Sequence, residues 1–327
     1  MASGRIRGIV RFGFHTQSHA PSTGNPADIY PELRELARRA ESAGFAYFSV
    51  TDHLVPFPGV GPSSTPMLDP WAALAAVATA TERIGLLTLV SNVTLRPPAQ
   101  LAKAAATLDV ISGGRMLLGI GSGGHRAEYE ALGLARPDAR TRAGMLEETA
   151  EAVRMLWERP TTTFEGRHFT LRGMVLEPKP LHRPRLLIGG SGALTLRSAA
   201  RHADLVNFVL PGPERLAALV AALRRHRAEA GPHAGAPHAD AIEISVLERA
   251  VVAPTRAAAE AKWAALGSPE RDGHRGLVGA PADVAAALRA YEAAGLDTAM
   301  VFFPGGDPES IALFAERVMP ELIGTAP

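Results

Sequence analysis

Eight short apolar runs recur along the chain, each bounded by chain-breaking residues and followed by a stretch of helical periodicity. They cover residues 6–14, 45–52, 84–92, 115–123, 185–192, 203–210, 242–253 and 297–304. Most are apolar without alternation, as strands covered on both faces are, and such strands are usually parallel. In the first helical stretch Ile29, Leu33, Leu36, Ala37, Ala40 and Ala43 fall on one side at three- and four-residue steps, and Gly44 is its stop. Pro70 marks the first turn of the next helix, and Gly113 with Gly114 ends the one after it.

Alternating strands and helices lead to a parallel sheet, either closed or doubly wound. Eight units in one pass predict an α/β fold of the (β/α)8 TIM-barrel type, forming a single domain over residues 1–327. A barrel of about 250 residues leaves roughly 70 for insertions. An open Rossmann-like sheet is the alternative. The surplus falls after strand ends, at 16–27, 54–69 and 124–142, and in an insertion at 161–184 that contains a hairpin turning at Glu165-Gly166. In a barrel, loops after strands converge on the C-terminal face, so these segments predict a roofed pocket there.

Charge and cysteine content remove several functions. Lys and Arg number 34 against 33 Asp and Glu, a formal net charge of +1 that argues against nucleic-acid binding. No stretch approaches the roughly 20 apolar residues of a membrane span, and MASGRIRGIV lacks the apolar core of a signal peptide, so the expectation is a cytoplasmic protein with no membrane partner. With no Cys at all, disulfides, thiolate metal sites and thiol nucleophiles are excluded. Redox chemistry would then need a bound organic cofactor or a metal held by nitrogen and oxygen.

The strand ends supply the candidate site. The fourth run ends in a turn with Gly121, Ser122 and Gly123, the fifth in Gly189, Gly190, Ser191 and Gly192. Backbone N–H groups at glycine turns that open onto helices favour phosphate oxygens, although glycines also end strands for steric reasons. Neither turn fits a Walker A loop, and the first lacks the acidic partner about 20 residues on that a dinucleotide fingerprint needs. The second run ends in Asp52 and His53, a carboxylate beside the one side chain that exchanges a proton near neutral pH. His15, Asn92, Thr94, His125 and Asn207 are further rim positions, with His15, His125 and Asn207 expected around the substrate. A zinc site from His15, Asp52 and His53 lacks the usual ligand spacing, and no metal is expected.

These pieces occur in a specific succession: ESAGFAYFSVTDHL, SNVTLRPPAQLAKAAATLDVISGGRMLLGIGSGG, EALGL, TFEGRHFTL, and EPKPLHRPRLLIGGSG with AARHADLVNF. In that order the chain resembles the bacterial luciferase-like monooxygenase superfamily, in its branch of oxidoreductases dependent on the deazaflavin coenzyme F420. The resemblance implies a barrel with the cofactor ring across its C-terminal mouth. It further implies that Gly121, Ser122, Gly123, Gly190, Ser191 and Gly192 receive phosphate, and that Asp52 and His53 lie beside the ring. A non-proline cis peptide behind the ring would match Leu89-Val90 or a neighbouring bond, with Asn92 and Thr94 at the ring edge. Relatives that oxidise sugar phosphates carry a Glu directly after the first glycine turn, where this chain has Gly124. That puts sugar-phosphate dehydrogenation in doubt and leaves His53, steadied by Asp52, as the acid/base.

The function expected is hydride transfer between F420 and a small organic substrate. The alternative is a two-component monooxygenase using reduced FMN, since both cofactors present a phosphate and a tricyclic ring. The resemblance also implies a homodimer, and a separate reductase to supply reduced cofactor. A cofactor-binding module without turnover and a metal-dependent hydrolase are weaker readings.

Overall fold

The computed structural model describes residues 11–57, 60–230, 242–267, 270 and 274–323. In chain order the strands are β1 Arg11–Thr16, β2 Tyr47–Val50, β3 Gly85–Thr88, β4 Ser91–Asn92, β5 Met116–Gly121, β6 Thr162–Glu165, β7 Thr170–Met174, β8 Arg185–Gly189, β9 Leu205–Val209, β10 Glu243–Val252, β11 Leu277–Gly279 and β12 Thr298–Phe302. The helices are α1 Ile29–Ser42, α2 Pro70–Ala78, α3 Pro98–Ser112, α4 Arg126–Ala131, α5 Ala139–Glu158, α6 Ala193–His202, α7 Pro213–Ala230, α8 Arg256–Leu266, α9 Pro281–Ala293 and α10 Pro308–Leu313.

All eight apolar runs become barrel strands. They pair in parallel in the order β10-β12-β1-β2-β3-β5-β8-β9, and β9 then meets β10 from Leu205↔Glu243 to Val209↔Leu247. That last pairing closes the sheet, which makes the fold a (β/α)8 barrel and overturns the open alternative. Outside the ring of eight, β11 continues the outer end of β10, and β6 and β7 form the expected antiparallel hairpin.

The absence of alternation now has its cause. Leu86, Leu118, Leu186 and Val246 face helices such as α2 and α3 through Leu74 and Leu101. Their chain neighbours Leu87, Leu117, Leu187 and Leu247 fill the barrel interior with Tyr47, Leu205 and Met300. Both faces are dry, so both must be apolar. The N-terminal end of the barrel is held by Glu243, which binds Arg11 at 2.6 Å and Arg185 at 2.7 Å.

Helix boundaries follow the punctuation. Asp69 caps α2 by accepting the Trp71 and Ala72 N–H groups at 3.0 Å, with Pro70 in the first turn. Gly113, at φ 69°, ends α3 in the left-handed conformation. Three expectations are adjusted. Residues 6–10 of the first run lie outside the described residues, and β1 continues to Thr16. The third run is interrupted after β3 by a cis peptide at Leu89-Val90, the bond that the resemblance implied, with β4 resuming at Ser91. The closing helical stretch is α10 followed by a π-helical turn at Phe314–Val318 and a 3-10 turn at Met319–Glu321, consistent with the missing N–H of Pro320.

Candidate active site at the barrel mouth

The C-terminal ends of the strands place the sequence candidates in a few contact groups. Val90, just past the cis bond, explains several glycines. A Cβ at Gly121 would stand 2.6 Å from Val90, one at Gly189 3.0 Å, and one at Gly119 only 1.9 Å from the Thr88 carbonyl oxygen. Gly121 and Gly189 therefore have a packing reason whatever else they do: they let Val90 enter the space between β5 and β8. Gly123, at φ +72°, closes the turn over Asn92 and Tyr129, whose polar atoms would both lie 2.4 Å from a Cβ placed there.

Beneath that turn Asn92 donates to the Tyr129 hydroxyl at 3.1 Å and accepts from the Thr94 N–H and hydroxyl at 3.0 and 2.8 Å. Thr94 and Tyr129 share a further hydroxyl–hydroxyl bond of 2.5 Å. Ser122 leads from β5 towards α4, whereas Ser191 and Gly192 lead from β8 to α6, where Gly192 occupies the N-cap. Gly190, at φ 132°, donates its N–H to the Asn207 carbonyl at 3.0 Å. The Asn207 side chain is buried and donates to Ser245 at 3.0 Å.

Asp52 and His53 are adjacent in the chain but face different partners. Asp52 is buried; its Oδ2 accepts from Ser91 at 2.5 Å, and Arg96 reaches both oxygens at 2.9 Å. Arg96 extends to Asp69 at 2.8 Å, joining the end of β2 to the cap of α2. The carboxylate that meets the His53 ring is Glu128, with both oxygens 3.3 Å from Nδ1. The expectation that Asp52 steadies His53 is thereby corrected: Asp52 is consumed by Arg96 and Ser91. Burial works to raise the Glu128 carboxyl, but the His53 ring and the Leu54 N–H, 2.7 Å away, outweigh it and hold it below the usual carboxylate range. Phe57 and His125 bracket the His53 ring at centroid distances of 4.8 and 5.6 Å.

His15 lies deeper. Its two ring nitrogens stand 2.9 Å from the Ser49 hydroxyl and 3.0 Å from that of Thr51, and its residue is 2% exposed. Burial, with His19 nearby, pushes its pKa down to about 3. His15, Asp52 and His53 thus make separate contacts, and among the described residues no three His, Asp or Glu side chains gather as a metal site.

Sequence reasoning missed Arg96, Glu128, Tyr129, Arg136 and Arg142. All follow strand ends, but nothing in their local pattern marks them. Arg142 donates to the Pro137 carbonyl at 2.6 Å; burial, then the charge of Arg136, lowers its pKa, and it senses Tyr129 below the Gly123 turn. The Nε atoms of Arg136 and Arg142 and Nε2 of His125 are buried without a hydrogen-bond partner among the described residues. Exposed Leu54, Leu194 and Val209 add apolar surface at the ends of β2, β8 and β9.

A closed parallel barrel with paired glycine turns, an imidazole–carboxylate contact and an apolar rim at its C-terminal mouth defines a class of barrel that places chemistry on strand-end loops. Residues 10–274 match the luciferase-like monooxygenase family, and the chain belongs to it. It is 34% identical over 198 residues to an F420-dependent glucose-6-phosphate dehydrogenase of Nakamurella multipartita, covering 60% of this chain and 55% of that protein. It is 29% identical over 243 residues to the pyrimidine monooxygenase RutA of Stutzerimonas stutzeri, covering 70% of this chain and 63% of that one. The matches therefore span about half to two thirds of those relatives. An F420-dependent secondary alcohol dehydrogenase, solved with an F420-acetone adduct, superposes with a TM-score of 0.79 at 22% identity over 96% of this chain and 99% of that one. At that identity the likeness concerns the fold.

Proposed function

We propose that this protein is an oxidoreductase that binds coenzyme F420 and transfers a hydride between it and a small organic substrate. The observation that carries the reading is His53, held by Glu128 at the mouth where two glycine turns end β5 and β8. The residues fit such a coenzyme. Buried Nε donors of Arg136 and Arg142, without hydrogen-bond partners among the described residues, lie on the segment after the first turn. An anionic tail satisfies such donors, and an apolar rim suits a planar ring.

When bound, the coenzyme supplies the hydride chemistry; the protein supplies binding, orientation and electrostatics. Backbone N–H groups of residues 121–123, 191 and 192 would receive the phosphate, Arg142 adding positive charge, whereas that of Gly190 is already given to the Asn207 carbonyl. Leu89 and Val90 would hold the ring, and exposed Leu54, Leu194 and Val209 would exclude water from it. His53 takes or returns the proton that accompanies the hydride at its Nε2. His15 and Asn207, held within the barrel, shape the floor of the substrate site. A separate reductase would be needed to supply the reduced coenzyme.

A second reading, a reduced-FMN monooxygenase, is favoured by the similarity to RutA. Anaerobic titration with F420 and with reduced FMN, followed by oxygen-uptake measurements, separates the two. F420 binding without oxygen consumption is expected; tight reduced-FMN binding with oxygen uptake would replace the proposal. Within it, His53→Ala should lower turnover about 10²–10⁴-fold with coenzyme affinity kept. Unchanged turnover would remove His53 from the reaction.

A further inference from the structure

Helix α4 has six residues and only two buried side chains, Glu128 and Tyr129. Tyr129 goes to Asn92 and Thr94 under the glycine turn, and Glu128 goes to His53. The Glu128 residue is 1% exposed, which is a costly place for a carboxylate unless it is fully bonded. Its Oε1 accepts the Leu54 N–H at 2.7 Å, and both oxygens stand 3.3 Å from His53 Nδ1. An ionised carboxylate only accepts, so the neutral His53 ring must present N–H at Nδ1 to satisfy it. The nitrogen on the far side, Nε2, is then left with a lone pair.

We propose that Glu128 is a positioning residue that holds His53 in the Nδ1–H tautomer, so that Nε2 faces the mouth as the proton acceptor. The inference deepens the oxidoreductase reading and rests on it for what Nε2 accepts. Two further contacts support it. Phe57 and His125 flank the imidazole at 4.8 and 5.6 Å, which opposes ring rotation, and the Leu54 N–H fixes the carboxylate that selects the tautomer. The arrangement has the logic of a carboxylate that orients a catalytic histidine without touching substrate. A role confined to clamping the loop at Leu54 would leave the tautomer unselected.

The test is long-range ¹H–¹⁵N correlation on the full chain labelled in histidine, with His53→Gln identifying the cross-peaks, recorded without and with F420. Protonated Nδ1 is expected as the majority neutral form, and Glu128→Gln, which keeps a carbonyl for Leu54 but offers an amide N–H to the ring, should reverse that majority. A wild-type majority of Nε2–H, or the same tautomer in E128Q as in wild type, would overturn the proposal. If E128Q does not fold, the wild-type tautomer alone decides. Failure of F420 to bind would defeat the cofactor reading while leaving the tautomer result standing.

Discussion

His15 and His19 are buried imidazoles that the fold keeps neutral. Burial pushes His15 to about 3 and His19 to about 4, both below the ordinary value of 6.5. Over that interval the unfolded chain binds more protons than the folded one, so stability is complete above pH 6.5 and is lost as pH falls towards 4 and then 3. The loss from His15 is on the order of a few kcal/mol. Melting temperature followed from pH 7 to pH 4 should fall steeply in wild type and less so in His15→Gln; parallel curves would show that His15 is not the titrating group. Gly123 gives a second residue-level test. Gly123→Ala combines a positive φ with a clash against Asn92 and Tyr129, and should cost roughly 2–4 kcal/mol in urea unfolding. Gly124→Ala, with nothing within 4 Å of its Cβ, should be close to neutral. The two neighbours look alike in the sequence, and only the surroundings separate them.

Among the elements, the β6–β7 hairpin depends on one carboxylate from α5. Glu148 accepts the N–H groups of Arg167, His168 and Phe169 at 2.7, 2.9 and 3.0 Å, capping the hairpin turn. Glu148→Ala removes the acceptors of all three hydrogen bonds and should cost about 2–3 kcal/mol locally. Hydrogen exchange over residues 162–174 should quicken while the barrel strands keep their protection; uniform change throughout the chain would argue against a local clamp. Elements of this kind were legible to different degrees. The hairpin announced itself through Glu165-Gly166, and each barrel strand through its apolar run. The break at Leu89-Val90 left no such mark in the local pattern: no chain-breaking residue stands at it, and periodicity carries no signal for a peptide that leaves the strand.

The whole molecule is a sheet whose first and last strands are neighbours, β12 lying between β1 and β10. Closure brings the loops after β2, β3, β5 and β8 around one mouth, and a ligand bound there draws on elements far apart in the chain. By mass action F420 at 100 times its Kd should stabilise the folded protein by about 2.7 kcal/mol, read as a rise in melting temperature. A deazaflavin lacking the phosphate should do so less; equal effects would show that the glycine turns do not hold the tail. The sequence by itself determined the number of barrel strands, the punctuation of the helices, and which strand ends carry Asp52-His53 and the glycine turns. Those features are written in short windows, where apolar runs, glycines and prolines act locally. Only the tertiary structure decided that Asp52 turns to Arg96, that Glu128 meets His53 from 75 residues away, and that Val90 fills the space left by Gly121 and Gly189. Such partnerships arise from closing the barrel, which sets distances between strand ends that no local pattern encodes.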